Sequence, residues 1–173
     1  EAKQGDVTIY TDRLIADYKD EESNDKESKS SSNVDIWQLT ALGNVQIKNV
    51  DSTATGDKAV YDVETGLATL TGSDLRLTTP DQVITAQKSM EYNAKQGVAK
   101  AIGNAQILQD KNILSAPIIT ANFEKDKSGK QVLKTARAKG GVMIKTPDET
   151  LTGDTGIYNA SNNTATIIGN VKI

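Results

Sequence analysis

From Ile36 onward the chain alternates apolar and polar side chains, and glycines punctuate the alternation. The landmarks are Gly43, Gly72, Gly103, Gly140 and Gly169, spaced 29, 31, 37 and 29 residues apart. The residues four and two before each glycine are all apolar: Leu39/Ala41, Ala68/Leu70, Ala99/Ala101, Ala136/Ala138 and Ala165/Ile167. Those two and four after it are Val45/Ile47, Ala105/Ile107, Val142/Ile144 and Val171/Ile173, whereas after Gly72 an extra Ser73 moves the pair to Leu75/Leu77 and reads as a β-bulge. The positions between them, such as Gln46, Lys48, Thr69, Lys100, Arg137 and Lys172, are mostly polar. Period two over nine residues predicts strands with one buried and one wet face. A glycine in mid-strand marks a bend or a close approach of another backbone. Each long strand is therefore expected to fold over at its glycine and pass from one sheet to another, giving a flattened two-sheet solenoid.

A second landmark fixes the period. Tyr61, Tyr92 and Tyr158 each lie 11 residues before a landmark glycine. Turn clusters follow them, Glu64-Thr65-Gly66, Lys95-Gln96-Gly97 and Ser161-Asn162-Asn163, which predict hairpin connections. Phe123 takes the aromatic place before Gly140, with Lys125 to Gln131 lengthening the turn, and Tyr18 takes it before Gly43. Length changes confined to one point of the period are what a stack of rungs tolerates. The expectation is a single all-β domain over residues 1–173, an open two-sheet antiparallel solenoid of about five ~30-residue repeats.

Composition narrows the partners. Phe, Trp and Tyr make up 4% of residues, so the core must come from small and β-branched side chains, as strands prefer. Lys+Arg 20 against Asp+Glu 23 leaves a net charge of −3 without a basic cluster, which argues against nucleic acid. The chain has no Cys, and a start at Glu1 with neither Met nor an apolar lead reads as a mature or trimmed product. Val7 to Tyr18 has strand composition, while Lys19 to Asn33 carries no apolar side chain and reads as a disordered loop at 19–33.

The run T-G-D-K-A-V-Y-D-x-x-T-G-x-A-T-L-T-G from Thr55 to Gly72, echoed by Thr152 to Gly169 and followed by G-N-V-Q-I or G-N-V-K-I, closely resembles the OstA-like repeat of bacterial lipopolysaccharide-transport proteins. The resemblance covers nearly the whole chain apart from Lys19 to Asn33, and an early T-D-R-L at Thr11 to Leu14 fits it. It implies an OstA-like β-jellyroll, an open V of two antiparallel sheets whose apolar interior carries the acyl chains of lipopolysaccharide. It further implies a periplasmic location, end-to-end self-association, and LptC-like and LptD-like jellyroll domains as partners. No cofactor is implied.

On that reading the groove candidates are Val45, Ile47, Tyr61, Leu70, Leu75, Leu77, Ile107, Ile119, Val142, Ile144, Tyr158, Ile167 and Val171. Ala and Gly dominate near each bend and cannot fill sheets ~10 Å apart, so either the sheets pinch together there or something else fills the gap. The tyrosines are expected to form a packed ladder with hydroxyls at the rim. Ile9, Leu14, Val171 and Ile173 are the expected oligomer edge, since an uncovered strand is a template for pairing. The alternative is a structural β-solenoid, a scaffold or adhesin with a dry core.

Catalysis finds little support. With neither His nor Cys, imidazole bases, thiol nucleophiles and the usual zinc ligand sets are absent, so no metal site is expected. G-x-x-x-x-G-K-[ST] and G-x-G-x-x-G are also absent. Asp57, Asp62 and Asp154 could share one face as catalytic carboxylates do, but they recur at polar places beside turns, and the expectation is a protein that is not an enzyme.

Overall fold

The computed structural model describes residues 2–4, 7–19, 35–127, 129, 131–162 and 164–173, with side chains from residue 7 onward. The expected loop at 19–33 lies outside the described residues except for Lys19. Among the described residues there are fourteen strands and no helix. Six are long and run the height of the molecule: β4 (Asp35–Lys48), β5 (Thr53–Asp62), β10 (Val98–Gln109), β11 (Asn112–Lys125), β12 (Gln131–Lys145) and β13 (Thr150–Asn159). The remainder are short: β1 (Ala2–Gln4), β2 (Val7–Tyr10), β3 (Arg13–Lys19), β6 (Leu67–Thr71), β7 (Leu75–Thr78), β8 (Val83–Ala86), β9 (Ser89–Asn93) and β14 (Thr164–Ile168). Every pairing is antiparallel.

All fourteen strands belong to one hydrogen-bonded network, which splits lengthwise at the bends into two halves. One half, here the tyrosine sheet, runs β3-β4-β5-β6-β9-β10-β11-β12-β13-β14. The other, the isoleucine sheet, runs β1-β2-β4-β5-β7-β8-β10-β11-β12-β13. The long strands belong to both. This is the expected jellyroll architecture, its two halves joined along the bends.

The bends have a local cause. Registers break between Leu42 and Val45, between Ile102 and Ala105, and between Lys139 and Val142, at the landmark glycines. There two consecutive residues take the left-handed region: Gly43 (φ 78°) with Asn44 (45°), Gly103 (88°) with Asn104 (42°), and Gly140 (90°) with Gly141 (96°). Glycine and asparagine are the residues that tolerate this conformation best. Two in succession turn the strand without ending it.

One expectation needs correction. Ser73 does not form a bulge in a continuous strand, because the chain breaks there into β6 and β7, and Asp57 takes up both the Ser73 N–H (2.8 Å) and its hydroxyl (3.1 Å). The bends are not confined to the glycine strands. The returning strands bend beside them at Asp12, Asp57, Gln87, Pro117 and Asp154, which face the glycine corners across the ladder.

Burial follows the corners. The residues two positions either side of Gly43, Gly103 and Gly140, namely Ala41/Val45, Ala101/Ala105 and Ala138/Val142, are buried, together with Leu70, Leu75, Ala86, Ala116 and Ile119. Small side chains suffice because the sheets do pinch together there. A Cβ on Gly56 would lie 2.9 Å from Leu70 Cδ1 and 3.0 Å from Leu75 Cδ2, and one on Gly156 would lie 3.3 Å from Val142 Cγ1. Gly56 lies on the isoleucine sheet against Leu70 of the tyrosine sheet, and Gly156 lies on the tyrosine sheet against Val142 of the isoleucine sheet, so their missing side chains set the approach of the two sheets.

Candidate functional site

Away from the pinched apex the sheets present two apolar rows to each other. Cross-strand register aligns Ile9, Ile47, Ala54, Leu77, Ile84, Ile107, Leu114, Ile144 and Leu151 on the isoleucine sheet, each opposite the next. All nine are half-buried. At about 4.8 Å per strand the row is about 38 Å long. Period two explains it, since every member except Ile9 sits two residues from a buried apex residue and points to the same face. The facing row on the tyrosine sheet is Ala16, Leu39, Tyr61, Ala68, Tyr92, Ala99, Ala121, Ala136, Tyr158 and Ala165. Tyr61 and Tyr158 are half-buried, and Tyr92 is 38% exposed.

The tyrosines thus alternate with alanines. Ala68 separates Tyr61 from Tyr92, and Ala99, Ala121 and Ala136 occupy three successive strands between Tyr92 and Tyr158. Beyond the isoleucine row the chain turns polar, with backbone bonds from Asn49 to Ser52, Thr79 to Gln82 and Thr146 to Glu149 closing the hairpins. The interior is a long apolar trough with a polar lip.

The predicted residues divide by depth. Val45 and Leu75, each 1% exposed, lie in the apex core with Leu70, Ile119 and Val142. Ile47, Leu77, Ile107 and Ile144 stand in the isoleucine row, Tyr61 and Tyr158 in the facing row, and Ile167 lies half-buried opposite Gly156 with a methyl against Gly153. Val171 (50% exposed) lies past β14, where Lys172 makes only a bridge to Thr152, and Ile173 is 87% exposed. Leu14 is exposed on β3. Ile9 is not at an edge, because Ala2 pairs it on one side and Ile47 on the other.

Sequence reasoning missed Ile84, Leu114 and Leu151 as members of the row. A signal for them existed: Ile84-Thr85-Ala86-Gln87, Leu114-Ser115-Ala116-Pro117 and Leu151-Thr152-Gly153-Asp154 share one pattern with Ala54-Thr55-Gly56-Asp57. The first residue faces the trough, the hydroxyl faces out, the small residue packs the apex and the fourth marks the bend.

The carboxylates have structural partners. Asp57 accepts from Ser73, Asp154 from the Asn170 amide (3.0 Å), and Asp62 from the Thr65 N–H (2.7 Å). That last bond is the main reason the Asp62 carboxyl titrates below its ordinary value, with the Thr65 side chain adding to it. Surface pairs such as Lys134–Glu124 (2.7 Å) lie outside the trough, and the bond to Glu124 holds the Lys134 ammonium above its ordinary range.

Comparison with known proteins adds a family. The model for the LptA/(LptD N-terminal domain) LPS transport proteins matches residues 1–98. No curated protein matches the chain. Among solved structures, the chain is similar to LptH of Pseudomonas aeruginosa, described as the LptA homologous periplasmic component of the conserved lipopolysaccharide transport device. The TM-score is 0.50 at 17% identity, covering 74% of this chain and 80% of that one, a likeness of fold.

Proposed function

Since the chain belongs to the LptA/(LptD N-terminal domain) family of LPS transport proteins, we propose that it binds the acyl chains of lipopolysaccharide between its two sheets and passes the lipid across the periplasm toward the outer membrane. The observation that carries this reading is the isoleucine row, nine aligned half-buried side chains with no polar interruption. A dry scaffold has no need to leave an unbroken apolar row partly open along its whole length. A carrier does, because burying a methylene is worth ~0.8 kcal/mol and an acyl chain of about a dozen carbons is then worth on the order of 10 kcal/mol. Such a chain must remain covered at every step.

Depth assigns the roles. Ile47, Leu77, Ile107 and Ile144 contact the acyl chains from one wall and Tyr61 and Tyr158 from the other, while Val45, Leu70, Leu75, Ile119 and Val142 hold the apex shut. Ile167 extends the wall on β14, and Val171 continues it just past that strand. The tyrosine-sheet row reaches the edge strands β3 and β14 and the isoleucine row runs from β2 to β13, so a second jellyroll added edge to edge at β3 or β14 prolongs the trough. Self-association, and pairing with LptC-like and LptD-like jellyroll domains, follow from that continuity.

The direct test is displacement of a fluorescent fatty-acyl probe by lipopolysaccharide. A carrier gives saturable displacement, and Ile144→Asp abolishes it while circular dichroism keeps its strand signal. A probe that never binds the folded wild-type protein contradicts the reading.

A further inference from the structure

The outer face of the tyrosine sheet takes no part in the trough, yet it holds a hollow of about 570 Å³. Thr120 forms its floor, with Lys100 beside it on β10 and Arg137 on β12 in direct cross-strand register. In the adjoining row Ile102, Ile118 and Lys139 are likewise in register. A short side chain between two long ones leaves a depression with cationic heads on its rim. Strand spacing places the Lys100 and Arg137 backbones about 10 Å apart, a gap that their flexible side chains can close on one anion.

The electrostatics favour an anion strongly for a chain of net charge −3. Glu91, on the strand beyond Lys100, places its Oε2 3.9 Å from the Lys100 ammonium. Among the described residues, Arg137 and Lys139 form no ion pair. The Thr120 hydroxyl adds a donor, and Asn122, whose amide donates to Thr135 at 3.0 Å, bounds one side. An Arg fork with two ammonium groups suits the several oxygens of a phosphate better than the two of a carboxylate. Beside the cations the lining is apolar, with Ile118 41% exposed and Ile102 and Ile157 half-buried.

We infer that this hollow seats the phosphate of an acidic phospholipid. The phosphate lies between Lys100, Arg137 and Lys139 over the Thr120 hydroxyl, and the first methylenes run along Ile118 and Ile102. The site is on the opposite face of the sheet from the trough and stands independently of what the trough carries.

The test is methyl NMR on the full chain, titrated with dihexanoyl phosphatidic acid below its micelle concentration. Saturable shifts of the Ile102, Ile118 and Thr120 methyls are expected, and the double variant R137Q/K139Q weakens binding about tenfold or more. The variant K111Q/K145Q removes the same charge elsewhere and leaves that affinity unchanged. Equal affinity for inorganic phosphate would remove the lipid from the proposal, and equal affinity for dihexanoyl phosphatidylcholine would remove its net charge. An unchanged affinity in R137Q/K139Q would overturn the site itself.

Discussion

The Asn170 side-chain amide donates to Asp154 at 3.0 Å while the Asp154 backbone N–H donates to the Gly169 carbonyl at 2.9 Å. The same two-bond clasp joins Asn44 to Asp12 (2.8 Å) and Asn104 to Gln87 (2.8 Å), with backbone bonds from Asp12 to Gly43 and from Gln87 to Gly103. Each clasp ties a bend in one strand to the bend in its neighbour. In Gly-Asn-Val and Thr-Gly-Asp, the motif residues are therefore corner chemistry rather than catalytic chemistry.

Two substitutions separate the parts of a clasp. Asn104→Gly keeps the left-handed backbone and loses only the amide bond, so it costs about 1 kcal/mol. Asn104→Ala loses the same bond and in addition puts a residue that tolerates the left-handed region less well than asparagine at φ 42°, so it costs about 1 kcal/mol more than Asn104→Gly. Urea denaturation of both variants should give that order.

The Gly140 corner has no such clasp. Pro117 stands where the clasped corners have Asp or Gln, so it has no N–H to donate to Gly140, and Gly141 stands where they have Asn, with open space around its missing Cβ. Installing both partners, Pro117→Asp with Gly141→Asn, should stabilise the protein by about 1 kcal/mol more than the two single changes add up to. A double-mutant cycle by chemical denaturation measures the coupling directly.

The apex depends on glycines that are not at the bends. Gly56→Ala places a Cβ against Leu70 and Leu75, both buried, and should cost about 1–3 kcal/mol through overpacking. Gly156→Ala, whose nearest neighbour would be Val142 Cγ1 at 3.3 Å, should cost less. Thermal unfolding of the pair ranks them.

The turn after β5 should respond to acid. The Asp62 carboxyl is held below its ordinary 3.8 by the bond from the Thr65 N–H. A native value below the unfolded one means that its stabilisation is present above about pH 3.8 and is lost as pH falls through the lowered native value. Carboxyl-carbon NMR should place the Asp62 midpoint below 3.8, and a midpoint at or above it would contradict the turn geometry.

Much of the fold was legible because both of its signals are periodic. Inward residues such as Val45, Ile107 and Ile144 follow from alternation, and the bends at Gly43, Gly103 and Gly140 from a glycine repeated in register. Legibility failed where a residue's job depends on a neighbour distant in sequence. Nothing local to Ser73 announces that Asp57 takes both its donors, and Gly56 gives no sign of lying against Leu70 of the opposite sheet. Depth was hidden for the same reason. Val45 and Ile47 have the same local pattern, yet one is sealed in the apex and the other borders the trough. Ile9 sits in a strand whose partner, β1, is too short and polar to be read from its composition.

The central claim is that lipopolysaccharide acyl chains lie along the isoleucine row. A photo-crosslinking amino acid placed in turn at Ile47, Ile107, Ile144 and Ile118, followed by irradiation with lipopolysaccharide, tests it most directly. Adducts at Ile47, Ile107 and Ile144, and none at Ile118 on the outer face, are the predicted result. Adducts at Ile118 with none at the three row positions would contradict the account.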